Sequence, residues 1–309
     1  MTIKVAVIGL GGIALKGHMP VLTEREDVEL VLYSRSQEKL ENLMKKYRVN
    51  EGSTDLEKII QSKPDAAFIL TPVVSHLELT EKFLNAGIDV MLEKPATDES
   101  RTAKKLAELA DARDRVLMVA FNRRFAPLSI KAKQVWADRP VAQAIFEKHR
   151  SKPGYPDFFS YMNEELIHTI DLLRFFCGEA EVISTRFLEE GGKLVRASSM
   201  LMLENGGYAT VAGCLTAGHW FEHYAMHGGE ASLYMDAFYQ VTMATGDSKQ
   251  TWEQPYASSW DSNLKGRGFV DQIDHFLNCV KNHQKPLTDA WECYKTQLLV
   301  ESMVEKAKI

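Results

Sequence analysis

The 309 residues are 45% hydrophobic and 26% charged, a composition that gives a globular chain enough core for two domains and excludes general disorder. A net charge of −5 leaves no basic surplus to displace counterions from a phosphate backbone, so no nucleic-acid partner is expected. Cys177, Cys214, Cys279 and Cys293 lack CxxC spacing, no apolar run reaches the ~20 residues that cross a bilayer, and no basic leader precedes the first strand; a reduced, cytoplasmic protein without a membrane partner is expected.

In chain order, the first strand is Lys4–Ile8, apolar enough to be buried on both faces. It runs into Gly9-x-Gly11-x-x-Ala14, after which a helix near Ile13–Leu22 is expected. In such a strand-turn-helix the first glycine permits the tight turn and the second lets the backbone approach a pyrophosphate. The small third position lets helix and strand pack closely, while free N–H groups of the turn, Gly12 and Ile13 among them, face the phosphates. Further strands are predicted at Val28–Tyr33, Ala66–Leu70, Asp89–Leu92 and Val116–Ala120. They alternate with helices near Gln37–Tyr47, Leu56–Gln61, Ser75–Ala86 and Ser100–Ala112, the pattern of a parallel sheet covered on both faces.

Past residue 121 the pattern changes. A strand at Val141–Lys148 and a helix at Glu164–Phe176 precede alternating strands at Glu181–Leu188, Leu194–Leu203, Tyr208–Leu215, His223–His227 and Ala231–Met235, which read as an antiparallel sheet. Amphipathic helices at Phe269–Lys281 and Ala290–Lys306 close the chain. Two domains are expected, residues 1–121 and 122–309.

Ligands of open parallel sheets bind outside the carboxyl ends of the strands, so the residues there are the candidates. The second strand ends in Tyr33-Ser34-Arg35, where an acid would ordinarily hold the adenosine ribose of NAD. Ser34 removes a carboxylate that would repel a 2′-phosphate, and Arg35, with Lys39, can pair with one, which favours NADP over NAD. Alternatively, Ser34 and Ser36 only cap the next helix. The third strand ends in Thr71-Pro72, beside the cofactor, followed by Ser75 as a helix cap and by His76, read equally as a nicotinamide-side residue or a core histidine. The fourth ends in Glu93-Lys94-Pro95, which would hold the Lys94 ammonium toward a substrate oxygen, with Glu93 beside it. Asn122, Arg123 and Arg124 follow the fifth strand; they can bind an anionic substrate or tie the domains together, and at least one is read as structural.

His219, His223 and His227 recur every four residues but lie on a predicted strand, where such residues are about 13 Å apart and cannot share an ion; no metal is expected.

Taken together, the Gly9–Ala14 turn, Thr71-Pro72 with His76, Glu93-Lys94-Pro95, Asn122-Arg123-Arg124-Phe125 and His168-x-x-Asp171 resemble the NAD(P)-dependent oxidoreductases of the glucose-fructose oxidoreductase, inositol dehydrogenase and MocA (Gfo/Idh/MocA) family. The regions Asn122–Pro127 and Lys148–Arg150 look closest to its MviM-like members. The resemblance implies an N-terminal Rossmann domain, a doubly wound parallel sheet, followed by an α+β domain with a large, mostly antiparallel open sheet that often forms a homodimer or homotetramer interface. It also implies substrate contacts from Lys94 and from an Asp-x-x-x-His pair on the first helix of the second domain. Here His168 is kept and Glu164 replaces the aspartate; four residues apart on a helix, the two share a face. The implied activity is hydride transfer between nicotinamide and a carbinol or carbonyl of a sugar, polyol or related metabolite, with Lys94, His168 and Glu164 catalytic. The alternative is a dinucleotide-binding sensor that has lost turnover.

Overall fold

The computed structural model describes residues 2–254 and 263–308. The chain divides into two units, Met1–Phe121 with Phe269–Lys295, and Asn122–Gly268 with Thr296–Ile309.

In the first unit six parallel strands, β1 (Ile3–Ile8), β2 (Val28–Tyr33), β3 (Glu51–Ser53), β4 (Ala66–Ile69), β5 (Asp89–Leu92) and β6 (Leu117–Val119), lie in the order 3-2-1-4-5-6. This is the doubly wound Rossmann order, which reverses between β1 and β4. Val5 to Ile8 and Ala66 to Ile69 are fully buried, as strands covered on both faces require. The edge strand β3 carries no apolar alternation, and its sequence did not announce it.

Residues 269–295 belong to this unit, not to the second, as the single boundary after Phe121 had supposed. The helix Phe269–Asn282 explains why: Phe276 meets Phe68 of β4 edge-on at 5.3 Å, and Lys281 pairs with Asp27 at 2.8 Å. Farther on, Thr288 Oγ1 donates to the Val119 carbonyl at 2.7 Å. Burying such side chains contributes about 1.5–3 kcal/mol each, which an amphipathic helix gains only against a sheet.

The helix expected as one element after β1 is a π-helical turn, Ala14–His18, followed by a short α-helix, Met19–Thr23. Pro20 has no N–H to continue the ladder, and the missing bond breaks its regularity.

The second unit holds a nine-stranded sheet formed by β7 (Gln143–Ser151), β8 (Ala180–Glu190), β9 (Lys193–Leu203), β10 (Tyr208–Cys214), β11 (Thr216–Gly228), β12 (Ala231–Asp236), β13 (Gln240–Thr245), β14 (Ser248–Glu253) and β15 (Ala307–Lys308). Its order is 14-13-12-11-7-10-9-8-15, and only the β7–β10 and β8–β15 pairs are parallel. One face packs on the helices: Ala144, Phe146, Tyr224 and Met226 are buried. On the opposite face the register aligns Met200 with Thr210 and Met202 with Tyr208, and Met200, Met202, Tyr208, Ile145 and Tyr234 stay exposed. A helix at Pro127–Trp136, unread in the sequence, also belongs here; Ser129 and Ala132 on its buried side dilute the apolar signal.

Candidate functional site

Gly9 adopts φ +94°, and a β-carbon there would lie 2.6 Å from Thr71 Cγ2, so only glycine fits the turn. Gly11 and Gly12 face open space, Ile13 is exposed, and Ala14 is completely buried against the strand layer. These features fit a pyrophosphate: the chain turns tightly, leaves its next residues free of side chains, and opens a helix at that point.

A cavity of about 640 Å³ opens at this end of the sheet. Gly9, Gly11, Ser34, Arg35, Thr71 and Pro72, all singled out from sequence, line it together, as do Lys39 and Glu78. Both serines also shape the chain: Ser34 Oγ accepts the Ser36 N–H at 3.2 Å, and Ser36 Oγ caps the helix Gln37–Tyr47 through the Lys39 N–H at 3.3 Å. Each hydroxyl keeps its own proton to donate. Arg35 and Lys39 are exposed at the rim, and no carboxylate stands at the end of β2.

Ser75, expected as a cap, makes no cap bond; its hydroxyl lies 2.8 Å from both Thr71 Oγ1 and the Pro72 carbonyl, which folds this loop on itself. His76 is 1% exposed, with Nδ1 2.9 Å from the Pro95 carbonyl and Nε2 2.8 Å from the Thr71 carbonyl. With both ring nitrogens on backbone oxygens it has none to offer a cofactor, so its reading as a core histidine prevails.

Glu93 is buried, and its Oε1 meets Nε2 of the fully buried His18 at 2.9 Å while Oε2 accepts the Lys94 backbone N–H at 3.2 Å. Its carboxylate therefore fixes the chain at Lys94 in place of contacting cofactor directly. The Lys94–Pro95 bond is cis, and Lys94 is half-buried at the carboxyl end of β5. His18 was missed in the sequence, although its place one turn past Ala14 puts it on the buried side of the first helix.

In the second unit the residues after Phe121 serve structure. Asn122 Nδ2 donates to the Arg267 carbonyl at 2.8 Å. Arg123 grips Glu222 through Nε at 2.7 Å and Nη2 at 2.5 Å, and Arg124 grips Asp171 at 2.8 and 2.7 Å. Asn122 and Arg123 are thus held by protein partners, not arrayed for substrate as expected. Burial pushes the Glu222 carboxyl up, but the facing charges of Arg123 and Lys148 and the Tyr224 hydroxyl outweigh it and hold it at about 2.

His168 is 9% exposed on the helix Ile167–Cys177. The preceding residues, Tyr161–Leu166, form a π-helical segment, so four-residue spacing is not α-helical spacing there. Glu164 stays exposed, and the buried carboxylate is its neighbour Glu165. Lys148 Nζ lies 2.8 Å from Glu165 Oε1, Arg150 Nη2 donates to Oε2 at 2.6 Å, and Tyr155 donates to Oε2 at 3.1 Å. Burial and the nearby Arg123 together push Lys148 down to about 8 despite its carboxylates. The expectation that Glu164 and His168 share one working face is thus replaced by a helix whose inward acid, Glu165, anchors it to β7. A lysine and an arginine two apart on one strand were the only sequence signal for this.

His219, His223 and His227 do lie on one strand, β11; His223 Nδ1 meets Asp236 at 2.8 Å and His227 Nδ1 meets Ser232 at 2.8 Å. Among the described residues no group of His, Cys, Asp or Glu is placed to hold a metal, and no helix is long and apolar enough to cross a membrane.

Residues 3–121 match the family described as an oxidoreductase family with an NAD-binding Rossmann fold, Gfo/Idh/MocA. Over 98% of this chain and 97% of its own length, the Salmonella typhimurium protein YceM, named as an oxidoreductase, is 28% identical. An inositol 2-dehydrogenase of Rhizobium meliloti is 23% identical over 91% of this chain and 89% of its own. Among solved structures, the dehydrogenase MviM of Clostridium difficile superposes with a TM-score of 0.89 at 25% identity, covering 99% of both chains.

Proposed function

We propose that this chain, whose residues 3–121 match the Gfo/Idh/MocA oxidoreductase family with its NAD-binding Rossmann fold, moves a hydride between NADP(H) and the carbinol or carbonyl carbon of a sugar, polyol or related hydroxylated metabolite. The observation that carries this reading is the cavity bounded by the Gly9–Gly11 turn and by Ser34, Arg35 and Lys39. A turn free of side chains receives a pyrophosphate, and two cations, Arg35 and Lys39, beside a β2 end that carries no acid receive a 2′-phosphate. The substrate class is supported by relatives named as inositol dehydrogenases.

The nicotinamide, when bound, accepts or returns the hydride. Lys94 orients the reacting oxygen and stabilises the negative charge that grows on it. His168 takes the hydroxyl proton during oxidation and gives it back during reduction. Glu164, exposed at the start of its helix, binds a further substrate hydroxyl. The protein works in the reducing cytoplasm, which suits four free thiols, and assembles as a homodimer or homotetramer through the apolar face around Met200, Met202 and Tyr208.

The test is a panel of sugars and polyols read at the nicotinamide absorbance band with NADP and NAD. We expect turnover with at least one polyol, faster with NADP, and a loss of about 10²- to 10⁴-fold in Lys94→Ala and in His168→Ala. Binding of dinucleotide with no turnover across the panel would instead favour a sensor.

A further inference from the structure

Two histidines that touch neither the cavity nor the rim grip the three residues around Lys94. His18 holds Glu93 at 2.9 Å, and the other carboxylate oxygen of Glu93 holds the Lys94 N–H at 3.2 Å. His76 sits between two backbone acceptors, its Nδ1 2.9 Å from the Pro95 carbonyl and its Nε2 2.8 Å from the Thr71 carbonyl, and donates from the nitrogen that carries the proton. Thr71 in turn lies against Gly9, its Cγ2 only 2.6 Å from where a β-carbon would stand. One run of contacts therefore joins the glycine turn to Pro95, and a second joins the helix behind that turn to the backbone of Lys94.

Packing alone does not call for a histidine at position 18. Its ring meets Phe68 and Phe269 edge-on at 5.8 and 5.6 Å, contacts that an apolar side chain of similar size also makes. Its Nδ1 is buried without a partner, a cost of about 1–3 kcal/mol that an apolar residue would avoid. What the imidazole adds is the single bond from Nε2 to Glu93.

We propose that His18 and His76 are positioning residues for Lys94. His18 fixes the backbone from which the ammonium projects, and His76 couples that segment to the Thr71 loop lining the dinucleotide cavity. The inference rests on the role given to Lys94 above. Two consequences separate the histidines: losing His18 lowers kcat with dinucleotide affinity intact, whereas losing His76 weakens both.

The variants are His18→Leu, which keeps the packing and drops the bond; His18→Gln, which returns an N–H near the place of Nε2; and Lys94→Ala, alone and with His18→Leu. We expect His18→Leu to lose about 10- to 100-fold in kcat with its NADPH Kd near the parent, and His18→Gln to recover most of it. The double variant should be no slower than Lys94→Ala alone, because His18 acts only through Lys94. A His18→Leu protein with parental kcat, or a double variant slower than both singles, would overturn the inference.

A second readout does not depend on turnover. In reductively ¹³C-methylated protein the Lys94 resonance, identified by its absence in Lys94→Arg, should move in His18→Leu and return in His18→Gln. An unmoved resonance overturns the positioning role. A resonance that moves as expected, with turnover unimpaired in Lys94→Ala, overturns instead the function given to Lys94.

Discussion

The glycine turn of the first unit and the His168 helix of the second are built on opposite principles. At the turn the backbone itself is the instrument: φ +94° at Gly9, open space at Gly11 and Gly12, and full burial at Ala14 are each dictated by residue size at a fixed spacing. At the helix, geometry is set by charges distant in sequence, with Glu165 drawn onto Lys148 and Arg150 of β7, and Arg123 locked to Glu222 of β11. Backbone-built sites are legible from spacing, and sites built from long-range ion pairs are not.

This contrast can be broken by substitution, beginning with the ion pairs. Glu222→Ala leaves Arg123 buried without its counter-charge and should cost about 3–5 kcal/mol in urea unfolding. Replacing both, as Arg123→Met with Glu222→Leu, should return most of that loss, since a matched apolar pair leaves no orphaned charge. If the single substitution proves harmless, the second region does not depend on its buried charges.

Gly9→Ala forces a side chain into a left-handed conformation and against Thr71, and should cost roughly 2–4 kcal/mol while abolishing NADPH binding. Retained binding in a folded Gly9→Ala protein would mean that the turn is not what holds the cofactor.

The pH dependence of stability sharpens the comparison further. Lys148 titrates at about 8 when folded and near the ordinary lysine value of 10.5 when unfolded, so between these the unfolded chain binds more protons. Stability from this group therefore rises from pH 8 upward, by about 1 kcal/mol before the Cys177 and Cys279 thiols, raised by burial, begin to oppose it near pH 9 and the buried tyrosines near pH 10. Tyr155, Tyr161 and Tyr224 are pushed above their ordinary value by burial and by nearby carboxylates, and so lose stability on the alkaline side. Denaturation midpoints from pH 7 to 9 should climb in the parent and fail to climb in Lys148→Met.

The smallest effect is expected at the cavity rim. Arg35→Ala should weaken NADPH about tenfold, or roughly 1.4 kcal/mol, and leave NADH nearly unchanged in a fluorescence titration. Equal loss for both would assign Arg35 to something other than the 2′-phosphate.

The same division explains what could be read from the residues in advance. The central strands β1, β2, β4 and β5 were legible because burial on both faces writes them as continuous apolar runs. The edge strands β3 and β14 were not, since Glu51–Ser53 is half-buried throughout, Ser248–Glu253 is mostly exposed, and neither leaves an alternation. Ser34, Arg35, Thr71 and Pro72 were found because strand ends point to ligands, and they do gather at one cavity. Glu164 was paired with His168 by α-helical spacing, but the π-helical segment spoils that arithmetic and the buried acid is one residue on. His18 escaped notice and His76 stayed between two readings because a histidine's role depends on partners 75 and 19 residues away.

The most direct test of the central claim is a crystal structure with NADP⁺ bound. We expect its pyrophosphate on the N–H groups that follow Gly9 and its 2′-phosphate within hydrogen-bonding distance of Arg35 and Ser34. A dinucleotide bound away from the glycine turn, or none bound at saturating concentration, would contradict the account.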